Sequence, residues 1–204
     1  MFAAPYMVSP GTIKNLHGRA NVIDFAPLWN SISPYPRAIY YIGDLNCHQL
    51  SNRTIYLNDN EMPVCARDVS IFVFINAGLA AALLAVPSAS ISLGVLNIFP
   101  KRIRDYICGF RRGPIMFVLI LLAVLLLPTA IDGFRQMLTN YESTNLTRLL
   151  TGAPCGFAGG FYLGVTITSV REIDRIRKDV SGNGAKNAED ENHTGEKKPD
   201  SKEL

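Results

Sequence analysis

The chain is 204 residues long and 48% apolar, but only 18% of its residues are charged and its formal net charge is +3. Because soluble domains carry about 25% charged residues, this composition excludes an ordinary soluble globule. The small net charge, without a basic stripe, excludes a nucleic-acid binder, and four cysteines in a chain of this length exclude a disulfide-rich miniprotein.

Residues 1–46 do not contain a membrane span. Five prolines interrupt the apolar groups of this segment, together with Asp24 and Arg37. Its tryptophan and tyrosines suit the headgroup layer of a bilayer, where an aromatic ring with a polar tip is favoured. We therefore predict an N-terminal interfacial segment with a short helix over residues 37–45. An ordinary loop cap on the helices is the alternative.

Three uncharged apolar stretches predict membrane-spanning helices, at residues 69–88, 114–131 and 151–170. A single helix over the uncharged run 69–100 would measure about 48 Å, against a hydrocarbon core of about 30 Å. We therefore expect a break near Pro87, followed by a short interfacial or re-entrant segment. The predicted fold class is all-α, a polytopic membrane helix bundle of about three transmembrane helices plus interfacial or re-entrant segments.

Basic residues predict the orientation of these spans in a cell membrane. Residues 101–112 contain five lysines and arginines and residues 171–178 contain four, whereas residues 132–150 contain two. Since Lys and Arg favour cytoplasmic loops, we predict a cytoplasmic C-terminus, with the N-terminus and the 132–150 loop extracytoplasmic. The predicted organisation is an interfacial segment over 1–46, a transmembrane domain over 47–170, and a basic helix end with a disordered tail over 171–204.

Four glycines recur at four-residue spacing in the third predicted span, at Gly152, Gly156, Gly160 and Gly164. On a helix they form one ridge without side chains, which lets another helix approach closely in lipid. The ridge predicts tight packing of the first span on the third. Contact with a second copy of the chain or with another membrane subunit is the alternative.

Polar side chains gather at the ends of the spans on one predicted side. Thiol, imidazole and carboxylate groups suit zinc, and the candidate metal ligands are Cys47, His48, Cys65, Asp68 and Asp132. Neighbours on an extended chain point to opposite sides, so we expect one of Cys47 and His48 to bind and the other to act as acid, base or orienter. The candidate catalytic residues are His48, Asp132, Arg67 and Arg148, with the arginines receiving an anionic head group.

Structural interpretations of the same residues stay open. Cys47 and Cys65 are alternatively joined by a disulfide bond, which an extracytoplasmic location permits. Asp132 alternatively caps a helix or pairs with Arg67 or Arg148. A carboxylate at a span end costs less than one at the bilayer centre, so its presence alone does not establish a function.

The order of these motifs resembles that of a known family. The motifs are Cys47-His48-Gln49 with Arg53, Cys65-Ala66-Arg67, Asp132-Gly133 with Gln136, and Asn145, Arg148 and Thr151-Gly152. Over residues 45–165 they are similar to those of a prokaryotic family of small integral membrane proteins of unknown function. The resemblance implies a polytopic fold and no established activity. Typical members read Cys-Ala-Arg-Cys-Thr-Gly, so Asp68 here replaces a second thiol with a carboxylate.

Three functions are compatible with this pattern. The first is a metal-assisted enzyme, with zinc as its possible cofactor, that acts on a lipid-like substrate at the membrane interface. The second is a non-enzymatic structural or accessory subunit of a membrane complex, which the glycine ridge and the short chain favour. The third is a thiol redox protein that uses Cys47 and Cys65.

Overall fold

Helices dominate the computed structural model, which describes residues 1–19 and 21–194, with backbone alone for residues 182–194. In chain order the elements are α1 Ala26–Asn30, α2 Pro34–Asn46, β1 Thr54–Leu57, β2 Asn60–Cys65, α3 Ala66–Ala82, α4 Ile91–Leu96, α5 Lys101–Cys108, α6 Gly113–Leu138 and α7 Asn145–Thr194. The all-α prediction is wrong in one respect, since β1 and β2 pair as a small antiparallel sheet.

The segments before α3, residues 1–19 and 21–65, pack around an apolar core of their own, and we call this part of the molecule the cap. Its buried residues are Ala4, Val8, Ile13, Leu16, Trp29, Ile32 and Tyr40. Trp29 stacks on Tyr40 with ring centroids 4.9 Å apart, and the Tyr40 hydroxyl donates to the Glu61 carbonyl oxygen at 2.6 Å. The predicted helix over 37–45 lies within α2, which begins with a proline at a position that tolerates one.

A two-residue turn joins β1 to β2. Asn58 and Asp59 have φ angles of 52° and 60°, the left-handed values that a tight hairpin turn requires. The amide of Asn60 donates to the Pro5 carbonyl oxygen at 3.0 Å, and Asn58 donates to the same oxygen at 3.2 Å. These contacts hold the hairpin against the N-terminal segment.

Asp44 supports the core of the cap, and its removal is expected to destabilise the cap by about 2–3 kcal/mol. This buried carboxylate accepts from the Phe25 backbone N–H at 3.1 Å and from the Trp29 indole N–H at 2.8 Å. Asp44→Ala leaves both donors unpaired. Trp29 is the single tryptophan, so its fluorescence during denaturant unfolding measures the change. Asp105→Ala, at a 70% exposed side chain on α5, is the control, and equal midpoints would contradict the role of Asp44.

The glycine ridge packs on α3 within the same chain. Gly152, Gly156, Gly160 and Gly164 lie in turn against Arg67, Ile71, Ile75 and Ala82. Both sets of numbers increase together, so α3 and α7 run parallel. A Cβ atom on Gly160 would lie 2.8 Å from the carbonyl carbon of Ile75 and closer still to its oxygen. The predicted tight packing is present, and within this chain α3 is the helix that lies on these glycines.

The helix α6 runs antiparallel to α3 and α7. Near its start, the Val118 carbonyl oxygen accepts from the Tyr162 hydroxyl at 3.1 Å. Towards its end, the Thr129 hydroxyl donates to the Thr151 carbonyl oxygen at 2.5 Å. The short helix α4 buries Val95 against the same bundle. The end of α6 therefore lies beside the beginnings of α3 and α7.

Two helices are long and apolar enough to cross a membrane, namely α6 and Asn145–Ser181 of α7. None of the most apolar 18-residue stretch of α6 is buried, which suits a helix that faces lipid. The predicted first span corresponds to α3, whose 17 residues measure about 25 Å against a hydrocarbon core of about 30 Å. The chain leaves the helix at Ala82, before Pro87, and α4 follows the break. Two spans are supported, and the third stays a prediction.

The loop before α7 lies against the cap. Arg53 and Asn52 donate to the Glu142 carboxylate at 3.0 and 2.8 Å, and the Asn145 amide donates to the Thr54 carbonyl oxygen at 2.9 Å. The cap and this loop thus share one end of the molecule, whose side of the membrane stays a prediction. The α7 helix includes part of the tail for which we predict disorder, and residues 195–204 of that tail lie outside the described residues.

Candidate functional site

Three potential metal ligands meet where the cap joins α3. Cys47 directly follows α2, Cys65 ends β2, and Asp68 lies in the first turn of α3. Their ligand atoms all lie within 4.8 Å of one another. The Cys65 thiol donates to Asp68 Oδ2 at 3.2 Å, and the Cys65 backbone N–H donates to Cys47 Sγ at 3.3 Å. We call these three residues the thiol–carboxylate group.

Close packing of α2 on β2 brings the two thiols together. A Cβ atom on Gly43 would lie 2.8 Å from the carbonyl carbon of Pro63, so only glycine permits this approach. Gln49 is buried, has a φ of 45°, and donates through Nε2 to the Pro63 carbonyl oxygen at 2.9 Å. Gln49 of the Cys-His-Gln motif therefore has a structural role, since it fixes the segment after Cys47 to the strand that carries Cys65.

Both cysteines of the group are free thiols in the structure, which does not contain the alternative disulfide bond between them. A side-chain hydrogen bond between the two thiols, separate from the backbone N–H contact, holds the pKa of Cys65 below its usual value, against the opposing effect of burial. The same hydrogen bond raises the pKa of Cys47, and burial raises it further. Cys65 is thus the readier thiolate, and the thiolate is the form that binds metals.

The structure places Cys47, and not His48, in this group. Cys47 is buried with an extended backbone, whereas the next residue is exposed. The His48 carbonyl oxygen accepts from the Gly18 N–H at 2.9 Å. Among the described residues, Cys47, Cys65 and Asp68 form the group that could hold a metal. His48 is not brought into this group as a ligand.

Asp132 belongs to a second cluster. Its buried carboxylate on α6 accepts from the Arg67 guanidinium of α3 and from Gln136 Nε2, the latter at 2.9 Å. Gln136 lies one turn further along the same helix face. The pairing of Asp132 with Arg67 is therefore present, and the structure does not bring Asp132 into the thiol–carboxylate group as a metal ligand.

Arg148 completes the second cluster from α7. Only 3% of this residue is exposed. Its Nε donates to the Ser143 carbonyl oxygen at 3.2 Å, and its Nη2 donates to Gln136 Oε1 at 2.7 Å. We call the five connected residues the arginine network, which consists of Arg67, Asp132, Gln136, Ser143 and Arg148. It ties α3, α6, α7 and the loop before α7 together at one end of the bundle.

The arginine network borders the thiol–carboxylate group. Arg148 lies within electrostatic reach of Cys65, Arg53 and Arg67. The two other arginines each have a buried Nε without a hydrogen-bond partner in the described part of the chain. Since Arg148 binds neutral acceptors through its described contacts, this side of the site is positively charged and suits an anionic group.

Reasoning from the sequence missed two contacts that position the site. The Ser70 hydroxyl donates to the Leu149 carbonyl oxygen at 2.6 Å, which joins α3 to the start of α7. Glu142 receives Arg53, which joins the loop before α7 to the cap. A lone serine in an apolar stretch is a signal for the first contact, but no sequence signal indicates the second, between residues that lie 89 positions apart in the chain.

Comparison with known proteins identifies a family for this chain. The sequence profile of a family described as "Predicted membrane protein (DUF2085)" matches residues 47–162, which include the thiol–carboxylate group and the arginine network. An uncharacterized protein of Methanocaldococcus jannaschii is 28% identical over 163 residues, which are 80% of each chain. No solved structure matches. Because the profile covers more than half of the sequence, the chain belongs to this family of predicted membrane proteins.

Proposed function

We propose that the protein is a membrane enzyme that uses a zinc ion, bound by the thiol–carboxylate group, to act on a lipid-like substrate at the membrane interface. The meeting of Cys47, Cys65 and Asp68 ligand atoms within 4.8 Å carries this proposal. Thiolates and carboxylates are ligands of zinc. Catalytic zinc sites use three protein ligands and keep a fourth position for water, whereas structural sites use four protein ligands.

The surroundings of the group fit hydrolysis of a lipid with an anionic head. Bound zinc lowers the pKa of its water molecule and polarises an acyl or phosphoryl oxygen. Arg148, which lies beside the Arg67–Asp132 pair and donates to neutral acceptors, supplies positive charge on one side of the site, and this charge attracts a phosphate or carboxylate. In this proposal Asp132 is a positioning residue, because it holds the Arg67 guanidinium in place.

We place the site at the outer interface of the cell membrane, with α3 as a third span. The basic residues around α5 precede α6, so they lie at the end of the bundle opposite to the cap. Since Lys and Arg favour the cytoplasmic side, the cap is then extracytoplasmic and the C-terminus is cytoplasmic.

Purified protein is expected to contain about one zinc ion per chain, measured by plasma mass spectrometry. Cys65→Ser removes a ligand and is expected to lower zinc content at least about tenfold, since even changes behind the ligands lower metal affinity about 10–100-fold. Cys108→Ser, at an exposed thiol of α5, is the matched control and keeps the metal. Trp29 fluorescence shows that the variants fold. Zinc that stays in Cys65→Ser, or is lost equally in the control, would contradict the site.

Turnover is tested with the same proteins in mixed micelles of total microbial lipid. We expect the wild-type protein to convert one lipid class, as followed by lipid mass spectrometry, with loss of conversion on chelation and recovery on addition of zinc. Asp68→Asn is expected to abolish conversion. Protein that binds zinc but converts no lipid would instead support a structural metal site in a non-enzymatic membrane component.

The closeness of two free thiols favours thiol–disulfide exchange as a second candidate function. In that reaction Cys47 and Cys65 form a disulfide while a partner disulfide is reduced to two thiols, so electrons and protons balance. Peptide mass mapping without reductant distinguishes the two functions. A disulfide between these residues in the isolated protein, without zinc, would support exchange and contradict the metal site.

A further inference from the structure

An apolar groove of about 360 Å³ lies between the cap and α3. Phe2 and Ile42 line it from the cap, and Phe72, Val73 and Asn76 line it from α3. Its volume falls in the range of about 300–1,000 Å³ that is typical of small-molecule sites. Two of its large apolar side chains, Ile42 and Phe72, are 58% and 46% exposed, so the chain itself does not fill the groove.

The groove and the thiol–carboxylate group are built from the same three segments, namely the end of α2, β2 and α3. Its lining residues Asn46 and Val64 directly precede Cys47 and Cys65 in the chain. Asp68 lies four residues before Phe72, and residues at this spacing share one face of a helix. The line from Asp68 to Asn76 measures about 12 Å, which is close to the thickness of one bilayer leaflet, about 15 Å.

The groove is continuous with the lipid-facing surface of α3. Val73 in its wall is 44% exposed, and the next residue, Phe74, is 39% exposed outside it. A bound peptide would need partners for its backbone N–H and C=O groups, whereas only the amides of Asn46 and Asn76 supply polar side chains to this lining. A hydrocarbon chain from the bilayer needs no such partners, so it fits the groove better.

We propose that this groove binds one acyl chain of a membrane lipid and directs the carbonyl end of that chain to the thiol–carboxylate group. The proposal rests on the proposed function and narrows the substrate class to acylated lipids. In the corresponding hydrolysis, water adds to the ester carbonyl carbon and the ester C–O bond breaks. The products are a fatty acid and an alcohol, and water is the only co-reactant.

A photoactivatable palmitic acid that carries a diazirine, added to phosphatidylcholine nanodiscs with the full chain, tests the groove. We expect labelling of peptides that contain Ile42 and Phe72 to saturate with probe concentration. Val73→Trp fills the groove and is expected to reduce this labelling at least about tenfold. Phe74→Trp places the same side chain on the neighbouring exposed position and is expected to leave the labelling unchanged.

Zinc measured on the same samples separates this inference from the proposed function. Saturable labelling of the groove in protein that holds no zinc would support the acyl site and contradict only the metal. Zinc-containing protein whose labelling is spread over the exposed face of α6, or is undiminished in Val73→Trp, would overturn the groove and leave the metal site in place.

Discussion

Gly160→Ala is expected to lower the stability of the helical bundle by at least about 3 kcal/mol, the upper end of what overpacking usually costs. The added methyl group would overlap the backbone of Ile75 in α3. Backbone cannot move aside as the tip of a flexible side chain can, so α3 and α7 must separate along their length. Thermal unfolding in detergent micelles, followed by circular dichroism, measures the loss.

The adjacent glycine supplies a matched control. A Cβ atom on Gly159 has nothing within 4 Å, and alanine in a helix interior is favoured over glycine by about 0.5–1 kcal/mol. Gly159→Ala is therefore expected to be neutral or stabilising. Equal melting temperatures for the two variants would contradict the close packing of α3 on α7.

Asp132→Ala is expected to cost about 3–5 kcal/mol, because it leaves the Arg67 guanidinium without its buried partner. The pair lies in the arginine network, where Asp132 is 6% exposed. Urea unfolding in mild detergent measures the effect. Glu142→Ala breaks the ion pair with Arg53 at a 56% exposed side chain, and such pairs contribute about 0–1 kcal/mol.

A double variant checks the reason for this loss. Replacing both members of a buried ion pair by apolar residues of similar size is often neutral, so Arg67→Met combined with Asp132→Leu is expected to recover most of the stability. If Asp132→Ala costs no more than Glu142→Ala, the carboxylate does not hold the arginine as described.

The packing of the helices was predictable where a sequence pattern is compatible with one kind of contact. The four glycines of α7 have a repeat that matches one helix face, so their close contact with another helix follows from spacing alone. The apolar sequence over residues 114–131 likewise identifies α6 as a candidate membrane span. By contrast, the hairpin was missed because its strands are only four and six residues long and contain a proline.

The sequence indicated which types of residue the candidate site contains, but it did not indicate which individual residues lie together. The alternation of neighbouring side chains required a choice between Cys47 and His48, and the position of Cys47 depends on how Gly43 of α2 packs on Pro63 of β2. Asp68 and Asp132 were equivalent candidates in the sequence. The structure places them in different clusters because Asp132 forms an ion pair with Arg67. These two residues are 65 positions apart, so no local sequence pattern indicates their contact.

The groove was not predictable from the sequence. Phe72 and Val73 are apolar residues of an apolar helix. Residues of these types are found equally facing lipid, in a protein core or in the wall of a cavity. Only the position of the cap relative to α3 leaves space between them. The space is therefore a property of the tertiary structure.

The metal site is tested most directly by X-ray absorption at the zinc edge of the purified full chain. We expect a four-coordinate ion with two sulfur ligands at about 2.3 Å and two lighter ligands at about 2.0–2.2 Å, from Asp68 and water. One sulfur should be lost in Cys47→Ser and none in Cys108→Ser. Protein without zinc, or zinc bound without sulfur, would show that Cys47, Cys65 and Asp68 do not form a metal site.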